Sequence, residues 1–340
     1  MSLWQKQGFR SRLIFKIILN TCFIENKHDY ISRLIFFLLF YPISLRIENY
    51  LYLTFMKKPF TLILFIIFSI ISLTARQIKV LAIGNSFSQD AVENYLWELA
   101  NANGDTIIIG NMYIGGCALE RHYLNSISGS TDYSYRKVKN GELTKTEGYT
   151  LKEAFQDEKW DYVSFQQVSQ LSGMPETYFP YIDSLIVFAR KHTNNPQLKI
   201  LLHATWAYAR DSKHSGFAFY GNNQLTMFRS IVNAVLYVAG RIGADFIVPS
   251  GTAIQNGRTS KLGDSFCRDG YHLELTYGRY TAACVWFEKL CGISAIGSAF
   301  RPQSITPFEA KIAQYAAHFA VRNPASITSL AFRAERGKTR

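Results

Sequence analysis

The chain has 340 residues, 48% hydrophobic and 18% charged, enough for one α/β domain of ordinary size with a buried core and some additional segments. Its formal charge of +12 is evenly split: nine basic and three acidic residues fall in 1–75, leaving +6 for the remainder. There is no run of five or six like charges and no basic stripe interleaved with aromatics, which argues against nucleic acid as a partner.

Residues 1–55 are rich in Phe, Ile and Leu, with scattered Arg and Lys and no caps or turn signals. Their apolar run at 34–44 falls short of the ~20 residues that span a bilayer. From Met56 the chain reads MKKPFTLILFIIFSIISLTARQ. Lys57 and Lys58 form a basic start, 60–73 an apolar stretch, and Thr74-Ala75 a short polar stop. That is the pattern of a secretory signal peptide (residues 56–75). It predicts translation from Met56, cleavage after Ala75 and a secreted or periplasmic protein whose membrane contact is limited to the leader. Residues 1–55 are then an over-extended reading of the gene. No Cys follows the apolar stretch, so no lipid anchor is predicted.

From residue 77 strand and helix patterns alternate. The apolar run 78–83 (IKVLAI), stopped by Gly84, suits a buried parallel strand. A helix follows over 88–102, with Val92, Leu96 and Leu99 at helical spacing and Ser88 as the N-cap. Further strands are predicted at 106–114, 160–166, 198–204 and 244–249, and helices at 176–192, 224–242, 274–290 and 307–321. Residues 125–150, polar and rich in Gly, Ser and Thr, read as an excursion between the second and third strands, a small hairpin or lid. The rhythm implies right-handed crossovers and a parallel sheet with helices on both faces. One domain over 77–322, followed by a tail at 323–340, accounts for the pattern.

Gly84-Asn85-Ser86-Phe87-Ser88 lies between the first strand and a helix. A serine there sits at the carboxyl edge of the sheet, where open α/β sheets bind ligands. Backbone N–H groups at the helix start suit a nucleophile whose attack creates an oxyanion. By itself the pentapeptide fits a turn or capping role better than a catalytic one. Near the C-terminus stands Cys267-Arg268-Asp269-Gly270-Tyr271-His272-Leu273. Its Asp269 and His272, three apart, allow a carboxylate to fix the imidazole while the other ring nitrogen takes a proton from Ser86. With seven His, no His-x-x-x-His pair and no Cys-x-x-Cys, a metal site is not predicted.

These blocks, with Gly116 in Asn111-Met112-Tyr113-Ile114-Gly115-Gly116, resemble those of the SGNH (GDSL-like) hydrolase superfamily, and within it the bacterial domain of unknown function 4886 family. The resemblance spans roughly 77–322. It implies a flavodoxin-like three-layer α/β/α sandwich with a parallel sheet of about five strands and a cofactor-independent esterase. Ser86 is then the nucleophile, His272 the base and acid, and Asp269 the residue orienting His272. The backbone N–H groups of Ser86 and Gly116 are the implied oxyanion donors. The superfamily's third donor, an Asn after the third parallel strand, is missing here. Among Gln166, Gln167 and Gln170, Gln167 is the first choice for that role, unless these amides only satisfy backbone groups in the loop. Asn85 stands where the GDSL wording has Asp and supports the turn.

Trp206, Tyr208 and Arg121 are candidate substrate contacts, with packing or plain surface exposure as the competing roles. His122 shares Arg121's position, and His203 reads as a structural histidine. If the superfamily fold holds, Cys117 and Cys267 border Ser86 and a disulfide between them becomes possible. Cys284 and Cys291 read as buried thiols. The implied substrate is a small-molecule or glycan ester, first an O-acetyl group on extracellular carbohydrate. Lipid or aryl esters are the alternative, and a binding module with a degenerate site is the alternative of another class.

Overall fold

The computed structural model describes residues 76–331; the extension and leader read in residues 1–75 lie outside the described residues. Seven strands form one sheet in the order β4-β3-β2-β1-β5-β6-β7. The parallel strands are β1 (Gln77–Gly84), β2 (Thr106–Tyr113), β5 (Tyr162–Phe165), β6 (Lys199–His203) and β7 (Phe246–Val248). Their order, with β1 between β2 and β5, is the flavodoxin-like arrangement that the sequence implied. Val80, Leu81, Val163, Leu201 and Leu202 are wholly buried, because helices cover both faces of such a sheet.

The polar stretch after β2 begins with a helix, α3 (Leu119–Ser128). It then forms a hairpin, β3 (Tyr133–Lys139) and β4 (Glu142–Tyr149), whose inner strand pairs antiparallel with β2. The hairpin therefore extends the sheet by two strands. Helix α4 (Leu151–Asp157) follows, opened by a capping box between Thr150 and Glu153.

The helix predicted at 88–102 is two helices, α1 (Ser86–Val92) and α2 (Leu96–Ala102), split where Tyr95 takes a left-handed conformation with φ of 67°. Its N-cap is Asn85 and not Ser88, because the Asn85 carboxamide accepts from the Phe87 N–H at 3.0 Å. Such a cap contributes about 1 kcal/mol. The helix predicted at 176–192 begins only at Tyr181 as α5 (Tyr181–His192), since Pro180 interrupts it. Helix α6 (Gln224–Ile242) follows the prediction.

Helix α7 (Ser250–Arg258) had no counterpart in the sequence reading. Its glycines lower helix propensity, and they are there for close packing. A Cβ on Gly251 would lie 2.1 Å from the Thr205 carbonyl oxygen. Helices α8 (Tyr277–Cys291) and α9 (Pro307–Arg322) complete the fold. Helices α1, α2 and α8 pack together, extended by α7 and α9; α3, α4 and α5 form a second group. Residues 323–331 after α9 pack back on α7: Thr328 and Leu330 donate their N–H groups to Asn256 Oδ1 and Thr259 Oγ1 at its end, and Leu330 is buried.

Candidate active site

Five loops leave the carboxyl edge of the parallel sheet, one after each of its strands, and the chemistry-bearing residues sit on them or on the loop before α8. After β1, Asn85 is almost wholly buried and joins two of these loops. Its Oδ1 accepts from Phe87 N and from Gln166 Nε2 (2.9 Å), while its Nδ2 donates to the Cys117 carbonyl at 3.0 Å. The turn carrying Ser86 is thereby tied to the glycine loop that follows β2. Ser86, half-buried, is the first residue of α1, where a backbone N–H has no acceptor within the helix. Gly116 is exposed, with φ of +60°, a left-handed conformation that favours glycine.

Residues 266–274 fold back on themselves. Glu274 N donates to Phe266 O, Arg268 N donates to His272 O, and Cys267 faces Leu273 in an antiparallel bridge. At the tip, Asp269 Oδ1 accepts from the backbone N–H groups of Tyr271 (3.1 Å) and His272 (2.8 Å). The carboxylate thus closes its own turn. That leaves Oδ2 to accept from His272 Nδ1 at 2.6 Å. Burial pulls the Asp269 pKa upward, but the hydrogen bonds from the His272 ring and from the two backbone N–H groups outweigh it and hold the carboxyl below the ordinary aspartate range.

The other imidazole nitrogen, Nε2, accepts from Ser86 Oγ at 2.8 Å, across 186 residues of sequence. Ser86, His272 and Asp269 form one continuous hydrogen-bonded row. The ring of Phe87 lies 6.0 Å from that of His272 and stacks on Trp206 at 4.4 Å.

Trp206 and Tyr208 are not exposed for sugar stacking: both are fully buried. Trp206 Nε1 donates to the Tyr271 carbonyl at 2.7 Å, and the Tyr208 hydroxyl bonds to that of Ser169. Their polar tips are thus satisfied inside the protein. Arg121 lies on the surface, paired with Asp132 at 3.3 Å with both side chains half-exposed. His122 is buried against Tyr133, whose hydroxyl it meets at 2.9 Å, and burial pushes its pKa down to about 3.

Gln167 does not turn its amide towards Ser86. Its Oε1 accepts from Leu119 N and Val168 N, and its Nε2 donates to the carbonyl and hydroxyl of Thr177. It staples the loop after β5 to the start of α3. Gln166 bridges Asn85 and His203. Since its Nε2 donates to Asn85, its Oε1 accepts from His203 Nδ1 at 2.7 Å, and His203 Nε2 accepts from the Ser250 hydroxyl. Burial pushes His203 down to about 3, so it stays neutral and structural. Gln170 sits in the following turn, where Ser169 Oγ donates to it at 3.4 Å.

Cys117 and Cys267 are free thiols, not a disulfide. Cys117 is packed in the core and Cys267 Sγ faces Arg258 Nη2 at 3.4 Å. Desolvation pushes the two thiols up to about 12 and about 11, so neither is a thiolate near neutral pH. Cys284 and Cys291 are buried and free. Among the described residues no group of three or more His, Cys, Asp or Glu side chains is arranged to hold a metal ion.

The sequence reading missed Asp90. On α1, one turn beyond Ser86, it is wholly buried. Its Oδ2 accepts from Arg268 Nη1 and Leu273 N, both at 2.9 Å. Its Oδ1 accepts from Arg279 Nε (2.9 Å) and pairs with Nη2 (2.7 Å). The available signal was an acid placed four residues after Ser86, on the same helix face as the nucleophile turn.

A doubly wound sheet with a serine after its first strand, a glycine loop after its second and an Asp-x-x-His turn before a late helix is the arrangement that the resemblance of the sequence blocks implied. A family model, Domain of unknown function (DUF4886), matches residues 79–320, and the chain belongs to that family. The crystal structure of a DUF4886 family protein from Bacteroides uniformis ATCC 8492 is similar, with 51% identity over 75% of this chain and 98% of that one and a TM-score of 0.73. An acetylxylan esterase from Geobacillus stearothermophilus is 14% identical over 64% of this chain and 95% of that one, with a TM-score of 0.42. An alpha/beta hydrolase from the metagenome of Lake Arreo, Spain, is 14% identical over 64% and 96%, with a TM-score of 0.40. No curated protein matches the chain.

Proposed function

We propose that the protein is an exported serine esterase that removes short acyl groups, with O-acetylated carbohydrate as its substrate class. One observation carries this reading: Ser86 Oγ, the His272 ring and the Asp269 carboxylate stand in a row with contacts of 2.8 and 2.6 Å. Asp269 holds the Nδ1 proton, so Nε2 is the free base facing the hydroxyl.

In the reaction Ser86 Oγ attacks the ester carbonyl while its proton passes to His272 Nε2. The tetrahedral oxyanion is held by the backbone N–H groups of Ser86 and Gly116. The intermediate collapses, His272 protonates the departing alcohol, and an acyl-Ser86 ester remains. Water, deprotonated by His272, attacks this ester and releases the acid and free Ser86. With the Gln167 amide engaged elsewhere, two backbone donors do the work for which the sequence suggested three.

Support for a carbohydrate ester comes from the polar surroundings of the triad loop. Arg268 and Asp269 are exposed at its tip; Gly270 packs on Ser212, whose neighbours Asp211 and Lys213 are exposed. The test is hydrolysis of p-nitrophenyl acetate and of acetylated xylo-oligosaccharide by the wild type and by Ser86→Ala. Loss of both activities in Ser86→Ala supports the reading. Equal rates for the two proteins remove Ser86 from the mechanism, and no hydrolysis by either favours a binding role. Butyrate or longer esters cleaved as fast as acetate would exclude the deacetylase assignment.

A further inference from the structure

We propose that Asp90 is a positioning residue for the reaction: from the helix that bears Ser86, it holds both ends of the loop that bears Asp269 and His272. The inference rests on the triad reading above and concerns how the two halves of that triad, so distant in sequence, are kept in register.

The connectivity is specific. One carboxylate oxygen, Asp90 Oδ2, accepts from the Arg268 guanidinium and from the Leu273 backbone N–H. Arg268 immediately precedes Asp269 and Leu273 immediately follows His272, so the two residues frame the catalytic tip. Arg268 also donates to the Leu273 carbonyl, closing the frame on itself. The other oxygen, Oδ1, is held by the Arg279 guanidinium from the first turn of α8. Arg279 reaches on to Asn94 Oδ1 at 3.4 Å, just beyond the end of α1. Helix α1, the catalytic loop and α8 therefore meet at a single carboxylate.

Burying that carboxylate with two guanidinium groups is a poor way to gain stability, because desolvation offsets much of the attraction. It does fix a geometry, since the buried Asp90 carboxylate has its full set of partners only when the loop is seated. Catalysis needs such a fix. Groups must be held within about 0.5 Å of the productive arrangement, and a misplacement of about 1 Å costs on the order of 10²-fold. A bond from Ser86 to His272 alone would not prevent the loop from riding away from α1. Asp90, one helical turn from Ser86, ties the loop down directly.

Steady-state hydrolysis of p-nitrophenyl acetate by Asp90→Asn, Arg268→Gln, His272→Ala and the Asp90→Asn/His272→Ala double variant tests this, with Ser86→Ala as the reference. The expected result for Asp90→Asn is a kcat lowered about 10- to 100-fold with KM within about twofold, because loop seating and not ester binding is disturbed. In the His272→Ala background the same change should cost less than about twofold, since its effect runs through His272. Arg268→Gln, which removes only the outer arm of the frame, should lower kcat in the same direction by a smaller factor. It keeps the test open should Asp90→Asn fold poorly.

A wild-type kcat in folded Asp90→Asn or Arg268→Gln, with Ser86→Ala inactive, would overturn the positioning role and leave the triad standing. An equal loss with and without His272 would also overturn it. Full activity in Ser86→Ala would overturn the triad reading, and the positioning role with it.

Discussion

Trp206 donates its indole N–H to the carbonyl of Tyr271 at 2.7 Å, beneath the loop that presents His272. The same indole stacks on Phe87, the residue after Ser86, at 4.4 Å with the planes 15° apart. One buried aromatic therefore touches the neighbours of both the nucleophile and the base.

Trp206→Phe keeps the stacking ring and removes the indole donor. It leaves the Tyr271 carbonyl without its partner, a loss of about 1–3 kcal/mol if that group stays dry. The expected outcome is a similar fall in kcat, several-fold, for p-nitrophenyl acetate and for an acetylated oligosaccharide. Rates measured side by side decide between support and sugar stacking. A loss confined to the sugar ester would return Trp206 to the substrate.

Gln167 links Leu119 and Val168 to Thr177 with both ends of its carboxamide. Gln167→Ala leaves two backbone N–H groups and a carbonyl short of partners, so its effect belongs mainly to stability. Thermal unfolding should show a Tm lower by several degrees, with kcat at 25 °C within about threefold of wild type. The contrary pattern, an unchanged Tm with a kcat loss near the ~10²–10³ typical of a missing oxyanion donor, would make Gln167 the third donor after all.

At the opposite edge of the sheet, Glu158 is gripped by Lys79 of β1 at 2.6 Å and Lys137 of β3 at 2.8 Å. Burial raises its pKa, but the hydrogen bonds and charges of the two lysines outweigh that and bring it from 4.5 down to about 2. A carboxyl whose folded pKa is depressed stabilises the protein above its unfolded pKa and loses that contribution as pH falls through the folded value. Denaturant titrations should therefore show Glu158→Gln less stable than wild type at neutral pH. The gap should narrow between pH 4.5 and 2. Parallel stability curves over that window would contradict the pairing.

The parallel core was legible because its strands are short apolar runs ended by Gly or Pro, as in residues 78–84 and 244–249. Helix α7 was not, since Gly251 and Gly257 weaken its pattern and owe their presence to Thr205 and Phe266 packing against them. At the site, Ser86, Asp269 and His272 stood out because their spacing and loop positions carry the chemistry directly. The sequence left the roles of Trp206, Tyr208 and Gln167 open for a common reason. Each has a functional tip, and only the three-dimensional structure reveals that Tyr271, Ser169 and Thr177 already occupy it. The Cys117–Cys267 pairing failed similarly, since neighbouring loops do not guarantee that two side chains face each other. Asp90 escaped notice because nothing local announces that its partners lie at 268, 273 and 279.

Ser86 carries the acyl group in the proposed reaction, and trapping of the acyl-enzyme reads that role out. Wild-type protein mixed with excess p-nitrophenyl acetate and quenched in acid within the first turnovers should yield, after proteolysis and mass spectrometry, an acetyl group on the peptide at Ser86. His272→Ala should show little of it, and Ser86→Ala none. Brisk ester hydrolysis without any adduct at Ser86, or an adduct that forms equally well on another residue in Ser86→Ala, would rule out Ser86 as the nucleophile.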